Sequence, residues 1–494
     1  MADRVLSKSK YCKGIQCPKI LWLDRYKPEE AEDVLPESVI AAGNMVGELA
    51  RGYFGDYSPV EFSYDKSEMV VKTEELISAG AENIAEASFM TDGLYCAVDI
   101  LRRNGDGWDI VEVKSSTKVS DIYIEDMAFQ YYVLRSCGVN VKNVYNMHIN
   151  SSYVRHGDLD LKGLFVIEDY TEEAMARSDA VRKNISDIRS YIDTREEPQK
   201  DIDCYCDQPY ECAYKHYCGR HIPEYSVFNM ARMQTKKKYA LYHEGIISYE
   251  DILKNPGCVS AKQLRQAQAV ALKKPDEYDV GKIKEFLCTL SFPLYHLDFE
   301  TFQQAVPEFE GCSPYEQIPF QYSLHIEYAD GRMDHREFLA KEGSDPRREL
   351  ALQLVRDIPT GVCSAAYNMA FEKSVLRRLA ASFPDIAGHL MDIHDNMHDL
   401  MIPFREQYYY SAAMNGSYSI KYVLPALCPG DPELDYHNLE GVHNGSEASA
   451  AFAEMAKHTP DEIAAMRANL LKYCGLDTYA MVKVLRRLRE VAGM

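Results

Sequence analysis

The chain has 494 residues, a formal net charge of −21 and 46% hydrophobic residues. This length and apolar fraction predict a globular protein of two or three domains. No apolar run approaches the roughly 18 residues of a membrane-spanning helix, and the N-terminus has no apolar signal segment. We therefore expect a cytoplasmic protein without a membrane partner, in which the 14 cysteines do not form a disulfide framework. The net negative charge disfavours non-specific binding to nucleic acid, because such binding depends on lysine and arginine contacts with phosphates.

Helix and strand patterns alternate through the first 222 residues. The predicted helices are Glu37–Phe54, Thr73–Ser88, Ser120–Cys137 and Thr171–Thr194. Apolar residues at helical spacing mark these segments. Strands are predicted at Val144–Ile149, at Leu164–Ile167 and on both sides of the turn signal Asn104–Gly107. The order helix, strand, strand, helix, strand predicts an α/β nuclease core.

The hairpin Tyr95–Lys114 carries the first group of candidate catalytic residues. With its turn at Asn104–Gly107, Asp99 lies opposite Glu112, and Lys114 shares their face. Opposed carboxylates about 4.5–5.5 Å apart repel unless a cation lies between them, and hard oxygen ligands suit Mg²⁺ or Mn²⁺. Lys114 would then polarise the scissile phosphate or the attacking water. The alternative is a solvated hairpin of mixed charges, which the apolar second strand disfavours.

A cluster of cysteines follows this core. Its members are Cys204, Cys206, Cys212 and Cys218. Grouped thiolates select zinc or an iron–sulfur cluster, and these spacings are longer than those of zinc sites. We therefore predict a 4Fe-4S cluster held by the last three of these cysteines and by Cys17, which would close a loop of nearly the whole first domain. Zinc and incidental thiols are the alternatives, as are Cys12 or Cys204 as a ligand.

The motifs of residues 1–222 resemble those of PD-(D/E)XK (RecB-like) nucleases that carry an iron–sulfur cluster. The shared features are a remote cysteine before PKILWL, an Asp–hairpin–E-x-K, a Q-Y-x-x-x-L helix and three later cysteines. The resemblance implies that Asp99 and Glu112 bind a metal, that Lys114 is the catalytic lysine, and that Gln130 positions the lysine or the substrate. Glu48 stands where the larger group often has a histidine ligand on its first helix. Its alternative role is an exposed helix carboxylate.

Residues 223–290 are predicted to form a helical linker module, and residues 291–494 a second α/β domain. The predicted strands of this domain are Leu294–Phe299, Gln321–Glu327, Met333–Leu339 and Gly361–Tyr367. Its predicted helices are Asp345–Ile358, Phe371–Ala381 and Asp461–Glu490.

A second acidic group is spread over these elements. Asp298 and Glu300 lie on one face of a strand that is otherwise apolar, and a metal would compensate the cost of burying both carboxylates. Tyr473 and Asp477 are four residues apart, so they share one helix face. Glu372 opens the helix after the fourth predicted strand. Each element alone is a weak signal, whereas the ordered set D-x-E, N-x-x-F-E and Y-x3-D is more specific.

This ordered set resembles the DEDD superfamily of RNase H-like 3′–5′ exonucleases, in the variant with a tyrosine before the last aspartate. The resemblance implies that Asp298, Glu300 and Asp477 hold two metal ions and that Tyr473 orients the attacking water. Glu372 replaces the aspartate of the second motif and is one methylene longer. Lys421 is a candidate phosphate contact, with a solvated lysine as the alternative.

Together the two halves resemble a bacterial family that fuses these two nuclease domains. The resemblance implies an α/β protein with a restriction-endonuclease-like core at residues 1–222, a helical linker at 223–290 and an RNase H-like domain at 291–494. The function we expect is that of a metal-dependent nuclease in DNA repair, recombination or defence. It would be an exonuclease that prefers single strands, with DNA favoured over RNA as its partner. The alternatives are a cluster-stabilised nucleic-acid-binding or assembly subunit with one decayed site, and a nuclease with zinc in place of the cluster.

Overall fold

The computed structural model describes residues 5–34, 37–431, 434, 439 and 441–494. The chain is mixed α/β, as expected, and its contacts divide it into two compact units. The N-terminal unit comprises Met1–Ile222 and Gln304–Tyr315, and the C-terminal unit comprises Pro223–Gln303 and Glu316–Met494. Residues 223–290 thus group with the C-terminal unit in the contact pattern. No helix in the described ranges is long and apolar enough to cross a membrane.

The N-terminal unit is built on a mixed sheet. Its strands are β1 (Leu6–Ser7), β2 (Ser58–Pro59), β3 (Asn83–Thr91), β4 (Leu94–Asn104), β5 (Gly107–Lys114), β6 (Val141–Ile149) and β7 (Phe165–Asp169). Its helices are α1 (Lys8–Gln16), α2 (Pro18–Tyr26), α3 (Glu37–Arg51), α4 (Lys66–Ser78), α5 (Asp121–Ser136), α6 (Leu161–Leu164), α7 (Thr171–Ala176), α8 (Ser178–Ile192) and α9 (Lys215–Cys218). The strand order is β2-β3-β4-β5-β6-β7, and β1 pairs with β4. Strands β5 and β6 are parallel, whereas β3, β4 and β5 form an antiparallel meander.

The hairpin of β4 and β5 has the predicted register. Ile100 pairs with Val111 and Asn104 with Gly107, which fixes the alignment that the turn signal indicates. Gly105 adopts a φ of 59°, a left-handed conformation that glycine tolerates at low cost. Beyond Ile100 the backbone ladder stops. There the carboxylate of Asp99 accepts the N–H of Val113 at 2.7 Å, in place of a backbone carbonyl.

The helix predicted at Thr73–Ser88 is wrong in its second half. Helix α4 is capped by the Asp65 side chain, ends at Ser78 and is followed by Gly80 at a φ of 82°. Residues 83–91 form β3, which pairs with β4 along most of its length. Tertiary strand pairing therefore overrides the helix propensity of this alanine-rich stretch.

The C-terminal unit has a second sheet covered by helices. Its strands are β8 (Glu277–Tyr278), β9 (Leu294–Phe302), β10 (Ile318–Glu327), β11 (Met333–Leu339), β12 (Cys363–Ala366), β13 (Met397–Asp399) and β14 (Tyr409–Tyr410). Its helices are α10 (Thr235–His243), α11 (Tyr249–Lys254), α12 (Ala261–Ala271), α13 (Val280–Leu287), α14 (Arg347–Asp357), α15 (Ala370–Ser382), α16 (Ala387–Asp395), α17 (Ile402–Arg405), α18 (Ile420–Leu427), α19 (Gly445–Glu454) and α20 (Pro460–Ala492). The main sheet has the order β11-β10-β9-β12-β13, in which β12 runs parallel to both of its neighbours.

Helix α20 packs on β9 and β10 and brings the last predicted motif to the sheet. It begins with Pro460 at its first turn, after a capping box between Thr459 and Glu462 that satisfies two free N–H groups. Its buried residue Thr478 shares a hydrogen bond of 2.6 Å with Ser323 of β10. Ser323 is the pairing partner of Asp298 on β9, so this contact fixes α20 beside the strand that carries the acidic pair.

Candidate active sites

The first candidate site lies where β4 and β5 separate. Glu112 is 1% exposed, and Asp99 is about three-quarters buried. Between the two carboxylates lies the ammonium group of Lys8, from the first turn of α1. Its Nζ is 3.0 Å from both Glu112 oxygens and 3.5 Å from Asp99 Oδ1. A cation thus lies between the opposed carboxylates, and it is the ammonium group of a lysine.

Three further side chains complete this cluster. Lys114 Nζ donates to Glu112 Oε1 at 2.7 Å and to Asp126 Oδ2 at 2.9 Å. Gln130 is fully buried, and its Nε2 donates to Glu112 Oε2 at 2.6 Å and to Asp126 Oδ1 at 3.0 Å. Gln130 and Asp126 occupy successive turns of α5, so this helix fixes both relative to β5. The structure therefore brings the predicted Asp99, Glu112, Lys114 and Gln130 into one network.

Charge pairing keeps this cluster ionised despite its burial. Burial and the Asp99 charge raise the pKa of Glu112, but Lys114 and Lys8 outweigh them and the pKa lies below its usual value. Burial lowers the pKa of Lys8, yet the carboxylates of Asp99 and Glu112 raise it well above the ordinary lysine value. The pKa of Lys114 is raised in the same way, chiefly by Glu112. The cluster therefore combines the ionised carboxylate of Glu112 with two protonated lysine amines.

Lys8 and Asp126 were missed from the sequence. Asp126 had a signal, because it precedes Gln130 by one helical turn. Lys8 had none, since it is separated from Asp99 by 91 residues of chain. Glu48 is exposed on α3, and no hydrogen bond or ion pair within the described ranges links it to the cluster. The metal-ligand role of Glu48 stays a prediction.

The four cysteines predicted as cluster ligands lie together in the N-terminal unit. Cys17 caps the end of α1, Cys206 ends a short turn, Cys212 is in a loop and Cys218 ends α9. Burial raises the pKa of each thiol, to about 12 for Cys206, and every pair among the four sulfurs is close enough for one charge to affect the other. Such a group of thiols fits a metal cofactor, because its positive charge compensates the negative charges of several thiolates at once. These residues could hold an iron–sulfur cluster or zinc.

Cys12 belongs to the other site. Burial raises its pKa, and the charges that act on it are those of Asp126, Lys114 and Lys8. Helix α1 therefore places Lys8 and Cys12 beside the carboxylates and Cys17 beside the other thiols. Gln16 ties the same helix to the cysteine loop, where its Nε2 donates to the carbonyl oxygens of Tyr205 and Tyr210 at 2.8 and 2.7 Å.

The second candidate site lies on β9 of the C-terminal unit. Asp298, Glu300 and Cys474 offer ligand atoms that all lie within 4.8 Å of one another. Cys474 was not predicted, although it lies between Tyr473 and Asp477 in the sequence. Opposite Glu300, β10 carries a bulge at Phe320, a distortion that redirects side chains at the end of a strand.

The other predicted members face the same place. Burial, then the charge of Asp477, raises the pKa of Glu300 to about 8 and that of Asp298 well above its usual value. Burial also raises the pKa of Tyr473, with Asp477 as the largest charge acting on it. Glu372 acts on both strand carboxylates, so α15 and α20 bring their acidic groups to β9 from two sides.

Glu372 is the most deeply buried carboxylate of this cluster. It is 2% exposed, and its Oε2 has no hydrogen-bond partner. Burial, and secondly Asp399, raises its pKa to about 8. The positive charge of the exposed Lys421 of α18 acts in the opposite direction and lowers the pKa of Glu300. Three carboxyl groups with raised pKa values, together with Asp477 and a buried carboxylate oxygen, form a set of oxygen donors that could hold divalent cations.

Comparisons with known proteins cover part of the C-terminal unit. Residues 295–419 match the model of a domain of unknown function, DUF2779. The match is about a quarter of the chain; it includes Asp298, Glu300 and Glu372, and it ends before Tyr473 and Asp477. No curated protein matches the chain.

Proposed function

We propose that the protein is a metal-dependent nuclease with two active sites, acting on single-stranded nucleic acid and on DNA in preference to RNA. The observation that carries this proposal is the meeting of Asp298, Glu300, Glu372 and Asp477 in one cluster, in which the pKa values of the first three carboxyl groups are raised. Carboxylates at such a density repel one another when ionised, and either protons or bound cations relieve this repulsion. Phosphodiester hydrolysis is the reaction that such cation sites support most directly.

At the C-terminal site, Asp298, Glu300, Glu372 and Asp477 would hold Mg²⁺ or Mn²⁺. When bound, these ions activate a water and stabilise the charge that develops on the phosphate. The chain's own contribution is positional. Tyr473 is 4% exposed and in electrostatic contact with the carboxylates, so its hydroxyl can orient the attacking water, and the raised pKa keeps this group a hydrogen-bond donor.

At the N-terminal site, Asp99 and Glu112 would hold a divalent cation at the place where the Lys8 ammonium contacts both carboxylates. Lys114 is fixed by Glu112 and Asp126 and stays protonated at physiological pH. Its ammonium group can therefore donate to a non-bridging phosphate oxygen. Gln130 holds Glu112 and Asp126 in register, so it is a positioning residue.

The test is a nuclease assay with end-labelled single strands in Mg²⁺ or Mn²⁺. We expect Lys114→Ala to lower one cleavage activity by at least 100-fold, because it removes a preorganised charge from the reacting phosphate. We expect Asp298→Ala to abolish a second activity that shortens strands from one end. Lys10→Ala, which changes an α1 lysine that makes no side-chain contact with the site, is the matched control. Wild-type activity in both variants on every substrate, or metal-independent binding without cleavage, would refute the proposal.

We also propose that Cys17, Cys206, Cys212 and Cys218 hold a 4Fe-4S cluster. Anaerobically purified protein should be brown, and Cys206→Ser should remove the colour and most of the iron. Cys204→Ser and Cys12→Ser should keep both, since Cys12 lies at the carboxylate site. Colourless wild-type protein that contains stoichiometric zinc would identify the site as a zinc site instead.

A further inference from the structure

A polar cavity of about 660 Å³ lies in the C-terminal unit, and no predicted catalytic residue lines it. One wall is the segment from Phe228 to Arg232, and the facing wall runs from Asn415 to Ile420. Tyr422 lies at its rim, with half of its surface exposed. The volume is sufficient for a small polar ligand.

The two walls are joined by one buried glutamine. Gln266 is 1% exposed; its Oε1 accepts the N–H of Ala231 at 3.0 Å, and its Nε2 donates to the carbonyl oxygen of Asn415 at 2.9 Å. At Gly416, with a φ of 70°, a side chain would overlap the same glutamine. The backbone around the cavity is therefore fixed before any ligand binds.

Arg232 presents a cation to this cavity. Its guanidinium group lies 4.7 Å from the centre of the Tyr418 ring, a stacked arrangement that holds the group in place. It is exposed, and within the described ranges it forms no hydrogen bond or ion pair with an acceptor. In a chain with a net charge of −21, a fixed arginine without a carboxylate partner is a binding group for an external anion.

Two short links of residues connect the cavity with the second candidate site. Asn368 lines the cavity, and its N–H donates to Asp399 at 3.1 Å. Asp399 is also the residue whose charge acts on Glu372. On the other side, Lys421 follows the cavity residue Ile420 and acts on Glu300. A strand whose phosphate lies at the carboxylates can thus place a neighbouring nucleotide in the cavity.

We infer that this cavity binds one nucleotide of a single-stranded nucleic acid, with its phosphate on Arg232 and its base against the exposed ring of Tyr422. This inference rests on the proposed function, because it takes the carboxylate cluster as the place where the strand is cut. Arginine recognises phosphate through paired N–H groups, and tyrosine stacks on any base. The expected specificity is therefore for the phosphodiester strand and not for its sequence.

The test measures binding of labelled 12-mers of dT and rU to the full chain carrying Asp298→Asn and Lys114→Ala, which disables both proposed sites and separates binding from cleavage. We expect Arg232→Gln to weaken binding by about tenfold, the effect of one charge-assisted hydrogen bond. The slope of log affinity against log salt should fall by about 0.7, the value for one phosphate contact on a single strand. Arg232→Lys should restore the salt slope but only part of the affinity. If Arg232→Gln weakens binding of only one of the two oligonucleotides, the sugar of that oligonucleotide would identify DNA or RNA as the ligand.

Lys236→Gln is the matched control, because it removes one positive charge from an exposed residue that does not line the cavity. Equal affinities and salt slopes for Arg232→Gln and Lys236→Gln would overturn the inference. It would also be overturned if the chain bound neither the dT nor the rU oligonucleotide. Arg232-dependent binding together with a wild-type chain that cleaves nothing would leave the cavity assignment intact and refute the nuclease proposal alone.

Discussion

Glu372→Gln is expected to make the chelator-treated C-terminal unit more stable than wild type above pH 6.5, by an amount that grows with pH. The cause is the raised pKa of the Glu372 carboxyl, about 8 in the folded chain, which follows from burial and the charge of Asp399. In the unfolded chain the same carboxyl titrates near its ordinary value of about 4.3. Between these two values the folded chain keeps a proton that the unfolded chain releases.

The sign of the effect follows from this difference in bound protons. A folded state that binds more protons loses stability as pH rises, at about 1.4 kcal/mol per pH unit for each such carboxyl. The contribution of the Glu372 proton to the free energy of unfolding is fully present below the unfolded pKa, and it is lost as pH approaches 8. Glutamine carries no titrating proton, so it removes this dependence at position 372. Buried histidines contribute to the pH dependence of wild type and of Glu372→Gln alike, so their contribution cancels in the difference between the two.

The measurement is the free energy of unfolding between pH 6.5 and 8 in EDTA and in Mn²⁺. The difference between Glu372→Gln and wild type should rise by about 1.4 kcal/mol per pH unit in EDTA, and Mn²⁺ should stabilise wild type most at the upper end of this range. Asp298→Asn should remove most of the stabilisation by Mn²⁺. Glu349→Gln, on an exposed position of α14, should change neither slope. Parallel pH profiles for all variants would mean that the cluster carries no raised pKa.

The residues that a short stretch of chain brings together could be predicted from the sequence. A tight turn at Gly105 fixes the register of β4 and β5, so the alignment of Asp99 with Glu112 follows from counting. The helix period likewise places Tyr473 and Asp477 on one face of α20. In both cases the geometry is set within about 20 residues, over which strand and helix periods are reliable guides.

Contacts across long separations could not be predicted in this way. Lys8 reaches Glu112 over 104 residues of chain, and Gln266 reaches Asn415 over 149. Neither residue lies in a motif, and each is placed by packing of whole elements. In the sequence, Arg232 belongs to a basic stretch, and nothing there distinguishes it from the neighbouring lysines. Two features distinguish Arg232, and both exist only in the folded chain. The ring of Tyr418 lies beneath its guanidinium group, and within the described residues no acceptor bonds to it.

Lys8→Met is expected to destabilise the chelator-treated N-terminal unit by about 2–3 kcal/mol and to increase its affinity for Mn²⁺. Removing one partner of a buried ion pair leaves an uncompensated charge, and the cost is moderated here because Lys8 retains about a quarter of its side-chain exposure. Glu112 would keep Lys114 and Gln130 as donors but would lose two contacts of 3.0 Å. Mn²⁺ should restore stability, since it supplies the missing positive charge.

The increase in metal affinity follows from competition for the same oxygens. In the metal-free chain the Lys8 ammonium lies between Asp99 and Glu112, so a cation that binds there must displace it. Methionine keeps most of the side-chain volume and removes the competing charge. Mn²⁺ titrations followed by thermal unfolding or electron paramagnetic resonance should show tighter binding in Lys8→Met than in Lys10→Met. Unchanged Mn²⁺ affinity together with lost cleavage would instead make Lys8 a ligand of the substrate phosphate, and it would contradict a role as the internal counter-ion.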